Sequence, residues 1–127
     1  MIKQINVGVI GTGWCGGIRA NACNSNPLVD KLYIAETNET RINELKDKLQ
    51  LEEATNDWKT LINNPEIDTI IISATPEDTH YPMALSALQS GKNVFLEKPI
   101  ATTMAEAEEL IEVSIKNNLK FTIGYSQ

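Results

Sequence analysis

Two hydrophobic periods take turns along this chain. Runs of mostly apolar residues, short enough for strands, are separated by stretches whose apolar residues recur every three or four positions, the spacing of a helix. The first run spans 3–10, with Ile5, Val7, Val9 and Ile10. A helix is expected over 14–24, stopped by Asn26-Pro27. A second strand covers 32–35. Asn38 is placed to cap a helix whose face is Ile42, Leu45 and Leu49. A short third strand falls at Ala54-Thr55, and Asp57 caps a brief helix through Trp58, Leu61 and Ile62 that stops at Asn63-Asn64-Pro65. The fourth strand, 69–74, is continuously apolar in its middle, as a parallel strand covered on both faces should be. A helix over roughly 77–90 follows, with Met83, Ala84, Ala87 and Leu88 inward and Gly91 as its stop. The fifth strand is 93–96. Thr103-Met104-Ala105-Glu106 reads as a capping box for a helix with the apolar face Ala107, Leu110, Ile111, Ser114 and Ile115. The sixth strand is 121–124. Six strands with intervening helices predict an α/β fold: one domain over 1–127 with a doubly wound parallel sheet. Right-handed crossovers give it the order 3-2-1-4-5-6. Ligands of such sheets bind where the winding reverses, at the carboxyl ends of strands one and four.

Length and charge narrow the partners. At 127 residues the chain has the size of one domain. A formal charge of −6 argues against nucleic acid or an anionic membrane as the main partner. The acidic run Glu106, Glu108, Glu109 and Glu112 has helical spacing and reads as a solvated face. No stretch nears the roughly 20 apolar residues that span a bilayer, and the apolar start lacks the basic region and cleavage site of a signal peptide. Cys15 and Cys23 fit no metal or C-x-x-C spacing, so a reduced, cytoplasmic protein with free thiols is expected.

Chemistry concentrates first at 7–16. The sequence Val7-Gly8-Val9-Ile10-Gly11-Thr12-Gly13-Trp14-Cys15-Gly16 runs a strand directly into a glycine loop and a helix start. Gly11 permits the tight turn, Gly13 lets a pyrophosphate approach the backbone, and Gly16 lets the helix pack close to the sheet. The helix N-terminus would aim free N–H groups and its dipole at phosphate. Glu36 stands at the end of strand two, 20 residues after Gly16, where a carboxylate can accept hydrogen bonds from an adenosine ribose and repel a 2′-phosphate. Arg41 is the nearest cation and is expected to face outward. NAD is therefore favoured over NADP. A methyl-donor nucleotide site remains the chemical competitor, since methyltransferases also use a glycine loop and an acid after strand two.

Two further segments lie on the same edge: Ala74-Thr75-Pro76-Glu77-Asp78-Thr79-His80-Tyr81 and Gly91-Lys92-Asn93-Val94-Phe95-Leu96-Glu97-Lys98-Pro99. With the glycine loop and the final Ile123-Gly124-Tyr125, they make the chain resemble the Gfo/Idh/MocA oxidoreductases over essentially its whole length. The resemblance implies a Rossmann domain in which Gly11, Thr12, Gly13, Trp14, Cys15 and Gly16 bind the pyrophosphate and Glu36 the adenosine ribose. Thr75 and Pro76 would form a wall beside the cofactor, His80 would lie near the nicotinamide-side ribose, and Glu97 and Lys98 would lie beside the nicotinamide. Lys98 would reach the substrate oxygen as the catalytic residue, where an ammonium can stabilise charge developing during hydride transfer. Without the family, Lys98 reads as a surface charge and His80 as a helix-start packing residue. Arg19 stands where many members have histidine, and Glu77 where some have asparagine.

Members of that family carry a second α/β domain with most of the substrate pocket and the catalytic histidine. The expectation is thus the NAD-binding domain of a longer oxidoreductase that acts on a secondary alcohol of a sugar, cyclitol or related polyol. The longer protein would be a homo-oligomer, whereas this chain alone would be without turnover and monomeric. The other reading is a naturally short NAD-sensing or interaction module.

Overall fold

The computed structural model describes residues 4–74, 79–97 and 103–124. Eleven elements follow one another in these segments: β1 (Ile5–Ile10), α1 (Trp14–Ser25), β2 (Val29–Ala35), α2 (Glu39–Lys48), β3 (Glu53–Thr55), α3 (Trp58–Ile62), β4 (Thr69–Ile72), α4 (His80–Gln89), β5 (Asn93–Glu97), α5 (Met104–Lys116) and β6 (Phe121–Gly124). The strands form one parallel sheet of order β3-β2-β1-β4-β5-β6. The winding reverses between β1 and β4, as the alternating pattern predicts.

Local chemistry sets the helix ends. Asn38 accepts a hydrogen bond from the Arg41 N–H, and Asp57 accepts one from the Lys59 N–H. Thr103 and Glu106 form a reciprocal capping box at α5. α4 ends just before Gly91, whose φ is +83°. β2 begins three residues earlier than the apolar run suggests. The expected start of the fourth helix at 77 lies outside the described residues.

Alternation along the strands sends side chains to two cores. Val7, Val9, Leu32 and Ile34 pack with Ala20, Leu45 and Leu49 beneath α1 and α2. Ile10, Ile70, Ile72 and Leu96 pack with Leu88 and Leu110 beneath α4 and α5. Among the described residues, no helix is long and apolar enough to cross a membrane.

One helix face departs from the expected pattern. α5 buries Leu110 and Ser114, while Ile111 is 46% exposed and Ile115 73%. Ser114 tolerates burial because its hydroxyl donates to the Ile111 carbonyl one turn back (2.7 Å). The small side chain suits a helix packed close to α4, so the inward line follows Leu110 and Ser114 rather than the two isoleucines.

Candidate cofactor-binding site

The strand ends at the reversal are tightly knit. Gly11 N–H donates to the Ala35 carbonyl (2.9 Å), and Ser73 N–H donates to the Ile10 carbonyl (2.8 Å). Gly11 has φ +84°, and a Cβ there would sit 2.5 Å from the Ala74 Cα. Only glycine meets both demands at this turn. Gly13 differs, because a Cβ built on it meets nothing within 4 Å. Its open face stands at the start of α1, as the cap residue, and supplies no side chain to the first-turn N–H groups. Those groups have no intrahelical acceptors, which leaves them suited to an anion. α1 begins at Trp14, so the backbone of Trp14, Cys15 and Gly16 forms that first turn.

On the β2 side, Glu36 is bound to the loop. Its Oε1 accepts from Thr12 N–H (2.9 Å) and Thr12 Oγ1 (2.5 Å), and its Oε2 accepts from Asn38 N–H (2.9 Å). Burial acts to raise its pKa. The Thr12 hydroxyl and the N–H groups of Asn38, Thr12 and Thr37 outweigh it and hold the carboxyl below its ordinary value. Glu36 is thus a half-buried anion at the end of the second strand.

Arg41 corrects an expectation. It does not face outward: its Nε donates to the Thr12 carbonyl (2.8 Å), and its guanidinium lies over Gly17, where a Cβ would come within 2.3 Å of Nη2. The cause is proximity. The Asn38 cap starts α2 beside the glycine loop, and one flexible arginine spans the gap. A groove of about 520 Å³ between α1 and α2, lined in part by Gly13, Arg41 and Lys48, flanks this side of the loop.

On the β5 side, Glu97 ends its strand and is 2% exposed. Arg19 of α1 reaches it, Nε to Oε1 at 2.5 Å, with the guanidinium 4.8 Å from the centre of the Phe95 ring. Among the described residues, three buried side-chain atoms lack a hydrogen-bond partner: Glu97 Oε2, Ser73 Oγ and His80 Nδ1. Ile72 pairs with Leu96, so Ser73 and Glu97 are the next positions along the two strands. His80 is 2% exposed, and its Nε2 meets the Ala74 carbonyl at 2.8 Å. A carbonyl only accepts, so Nε2 carries a proton toward it.

The structure therefore gathers Gly11, Thr12, Gly13, Glu36, His80 and Glu97 at one sheet edge, along with the backbone that begins α1. Thr75, Pro76 and Lys98 lie outside the described residues. Lys92, part of the same sequence segment as Lys98, belongs elsewhere. It precedes β5 at the opposite edge and donates to the carbonyls of Asn64 (2.6 Å) and Ile67 (2.7 Å). Burial lowers its pKa, with Asp68 opposing.

Sequence reasoning missed the Arg19–Glu97 and Arg41–Thr12 contacts. A signal for the first was present: Arg19 is the only charged residue in α1, and Glu97 is an acid ending an apolar strand.

Comparison with known proteins identifies the fold. The profile of an oxidoreductase family, GFO_IDH_MocA, described as its NAD-binding Rossmann fold, matches residues 5–125. Myo-inositol 2-dehydrogenase of Thermotoga maritima is 30% identical over 125 residues, covering 97% of this chain and 36% of the relative. The structure of scyllo-inositol dehydrogenase from Lactobacillus casei, with bound NAD(H) and scyllo-inositol, superposes with a TM-score of 0.85 at 30% identity, over 96% of this chain and 36% of that one. Biliverdin reductase from Synechocystis, in complex with biliverdin and NADP+, superposes with a TM-score of 0.86 at 28% identity, over 94% and 37%. The chain thus spans little more than a third of the length of these relatives.

Proposed function

Because this chain belongs to the Gfo/Idh/MocA oxidoreductase family and carries its NAD-binding Rossmann fold, we propose that it is the cofactor-binding part of a longer dehydrogenase. The enzyme would move hydride between NAD and a secondary alcohol of a sugar, cyclitol or related polyol. The observation that carries the reading is the join of Glu36 to Thr12 beside the open face of Gly13. It would set a ribose-binding anion from the end of β2 beside a phosphate-binding helix start at the end of β1, on one edge of the sheet. These features suit a dinucleotide: the loop leaves room for a pyrophosphate, and a carboxylate stands at the end of the second strand, where an adenosine ribose would lie. The inositol dehydrogenases among the relatives support the substrate class, while the biliverdin reductase shows that the fold alone does not fix it.

When bound, the nicotinamide takes up the hydride. Lys98 follows Glu97 directly in the chain and would donate a hydrogen bond to the substrate oxygen, stabilising negative charge there. Oxidation of an alcohol also needs an acceptor for the hydroxyl proton. His80 is the sole histidine, and its proton is held at a backbone carbonyl. We assign the acceptor, most of the substrate pocket and the oligomer contacts to a further domain.

Titration with NADH, read by energy transfer from Trp14 or Trp58, tests the cofactor assignment. Saturable binding is expected, and a folded sample that binds nothing at millimolar cofactor overturns it. A polyol with NAD should give no turnover on this chain alone. Measurable dehydrogenase activity would overturn the assignment of the proton acceptor to another domain.

A further inference from the structure

We propose that the Arg19–Glu97 ion pair is a positioning and selectivity element: it fixes a carboxylate beside the nicotinamide half of the cofactor and sets the balance of affinity between the oxidised and reduced forms. The inference rests on the dinucleotide reading above and adds a role for two side chains.

The placement follows from the sheet order. Glu36 follows β2, on one side of β1, and Glu97 ends β5, two strands away on the other side. A dinucleotide lying across the reversal point, with its pyrophosphate at the start of α1 and its adenosine ribose at Glu36, extends its other half over the ends of β4 and β5. Glu97 is the one acid described there. Arg19 rises from α1, the same helix whose first turn faces the pyrophosphate, so the pair joins the phosphate-binding element to the end of β5.

The pair is asymmetric. Arg19 engages Oε1 only, and its side chain is 36% exposed, whereas the Glu97 side chain is 3% exposed. Glu97 Oε2 is buried with no donor. An anion held this way keeps an unscreened potential at its second oxygen, since water does not reach it. The oxidised nicotinamide ring is cationic and the reduced ring is neutral, so the two forms respond differently to any imbalance between Arg19 and Glu97. Removing Arg19 leaves an excess anion that favours the cationic ring. Neutralising Glu97 leaves an excess cation that disfavours it.

The test measures NAD+, NADH and ADP-ribose binding by calorimetry on the 127-residue chain and on Arg19→Gln, Glu97→Gln, Arg19→Lys and the double variant Arg19→Gln/Glu97→Gln. ADP-ribose lacks the nicotinamide and reports any loss common to the phosphate end. Relative to the original chain, Arg19→Gln should shift the NAD+ to NADH affinity ratio toward NAD+ by about threefold or more, and Glu97→Gln should shift it by a similar factor toward NADH. Arg19→Lys and the double variant, in which charge is again balanced, should return the ratio to within about twofold of the original. If Arg19→Gln fails to fold, Glu97→Gln and the double variant still decide. A ratio unmoved in Glu97→Gln, or shifts of the same sign in both single variants, overturns the proposal and leaves a purely structural ion pair. If the original chain binds none of the three ligands, the dinucleotide reading falls and this proposal with it. Binding that is normal in the original chain with ratios unmoved in the variants removes only the proposal.

Discussion

Thr12 donates twice to one oxygen of Glu36, once from its N–H and once from its hydroxyl. The loop and the carboxylate are therefore a single unit, and substituting Glu36 tests both. Glu36→Ala should weaken NADH about tenfold or more, the loss of hydrogen bonds to a charged acceptor. NADPH should lose less, because removing the anion also removes its repulsion of a 2′-phosphate. Parallel titrations check this, and equal losses would mean that Glu36 serves the loop alone.

The same unit predicts an acid dependence. Glu36 has a folded-state pKa below its ordinary 4.5, so the folded form binds its proton less readily than the unfolded form. Its stabilising contribution is present above 4.5 and is lost as pH falls through the depressed folded value. The melting temperature of the original chain should exceed that of Glu36→Gln at neutral pH, and the gap should close on acidification below 4.5. A gap independent of pH between neutrality and that range would show that the charge contributes nothing.

Two glycines separated by one residue should fail in different ways. Gly11→Ala puts a methyl group against the Ala74 backbone at a positive φ, and should destabilise the chain by about 2–5 kcal/mol. Gly13→Ala meets no protein atom, so stability should change by about 1 kcal/mol or less. NADH affinity should nevertheless drop about tenfold or more, because the methyl group occupies the phosphate approach. Thermal melting with NADH titration separates the two outcomes.

The α5 face gives a control far from the cofactor edge. Leu110→Ala should cost about 2–5 kcal/mol, whereas Ile115→Glu should stay within about 0.5 kcal/mol. Denaturant unfolding of the two variants checks which line of the helix faces inward.

Much of the fold can be read directly because its signals are local. Asn38, Asp57 and Thr103 cap helices by contacts within three residues, and the apolar centre of β4 announces burial on both faces. Hydrophobicity draws the inner face of α5 too wide: Leu110 and Ser114 are buried as the pattern expects, while Ile111 and Ile115, each one position further round the helix, are exposed. At the candidate site, spacing places Gly11 and Gly13 in the turn after β1 and Glu36 at the end of β2, where the structure also has them. The arginines were not. Arg19 and Arg41 bond partners 78 and 29 positions away through long, flexible side chains, and no short-range pattern fixes where such chains end.

Lys92 gives the sheet two unlike ends. Its buried ammonium fastens the carbonyls of Asn64 and Ile67 to the start of β5, at the edge away from the glycine loop. Among the described residues, the buried side-chain atoms without partners, Glu97 Oε2, Ser73 Oγ and His80 Nδ1, all lie toward the opposite edge. In amide hydrogen exchange, the turn at 64–67 and the first residues of β5 should therefore be slow whether or not nucleotide is present. Protection gained on adding NADH should concentrate at the far ends of β1, β4 and β5 and in the first turn of α1. The domain would then act as a fixed base with one ligand-responsive rim.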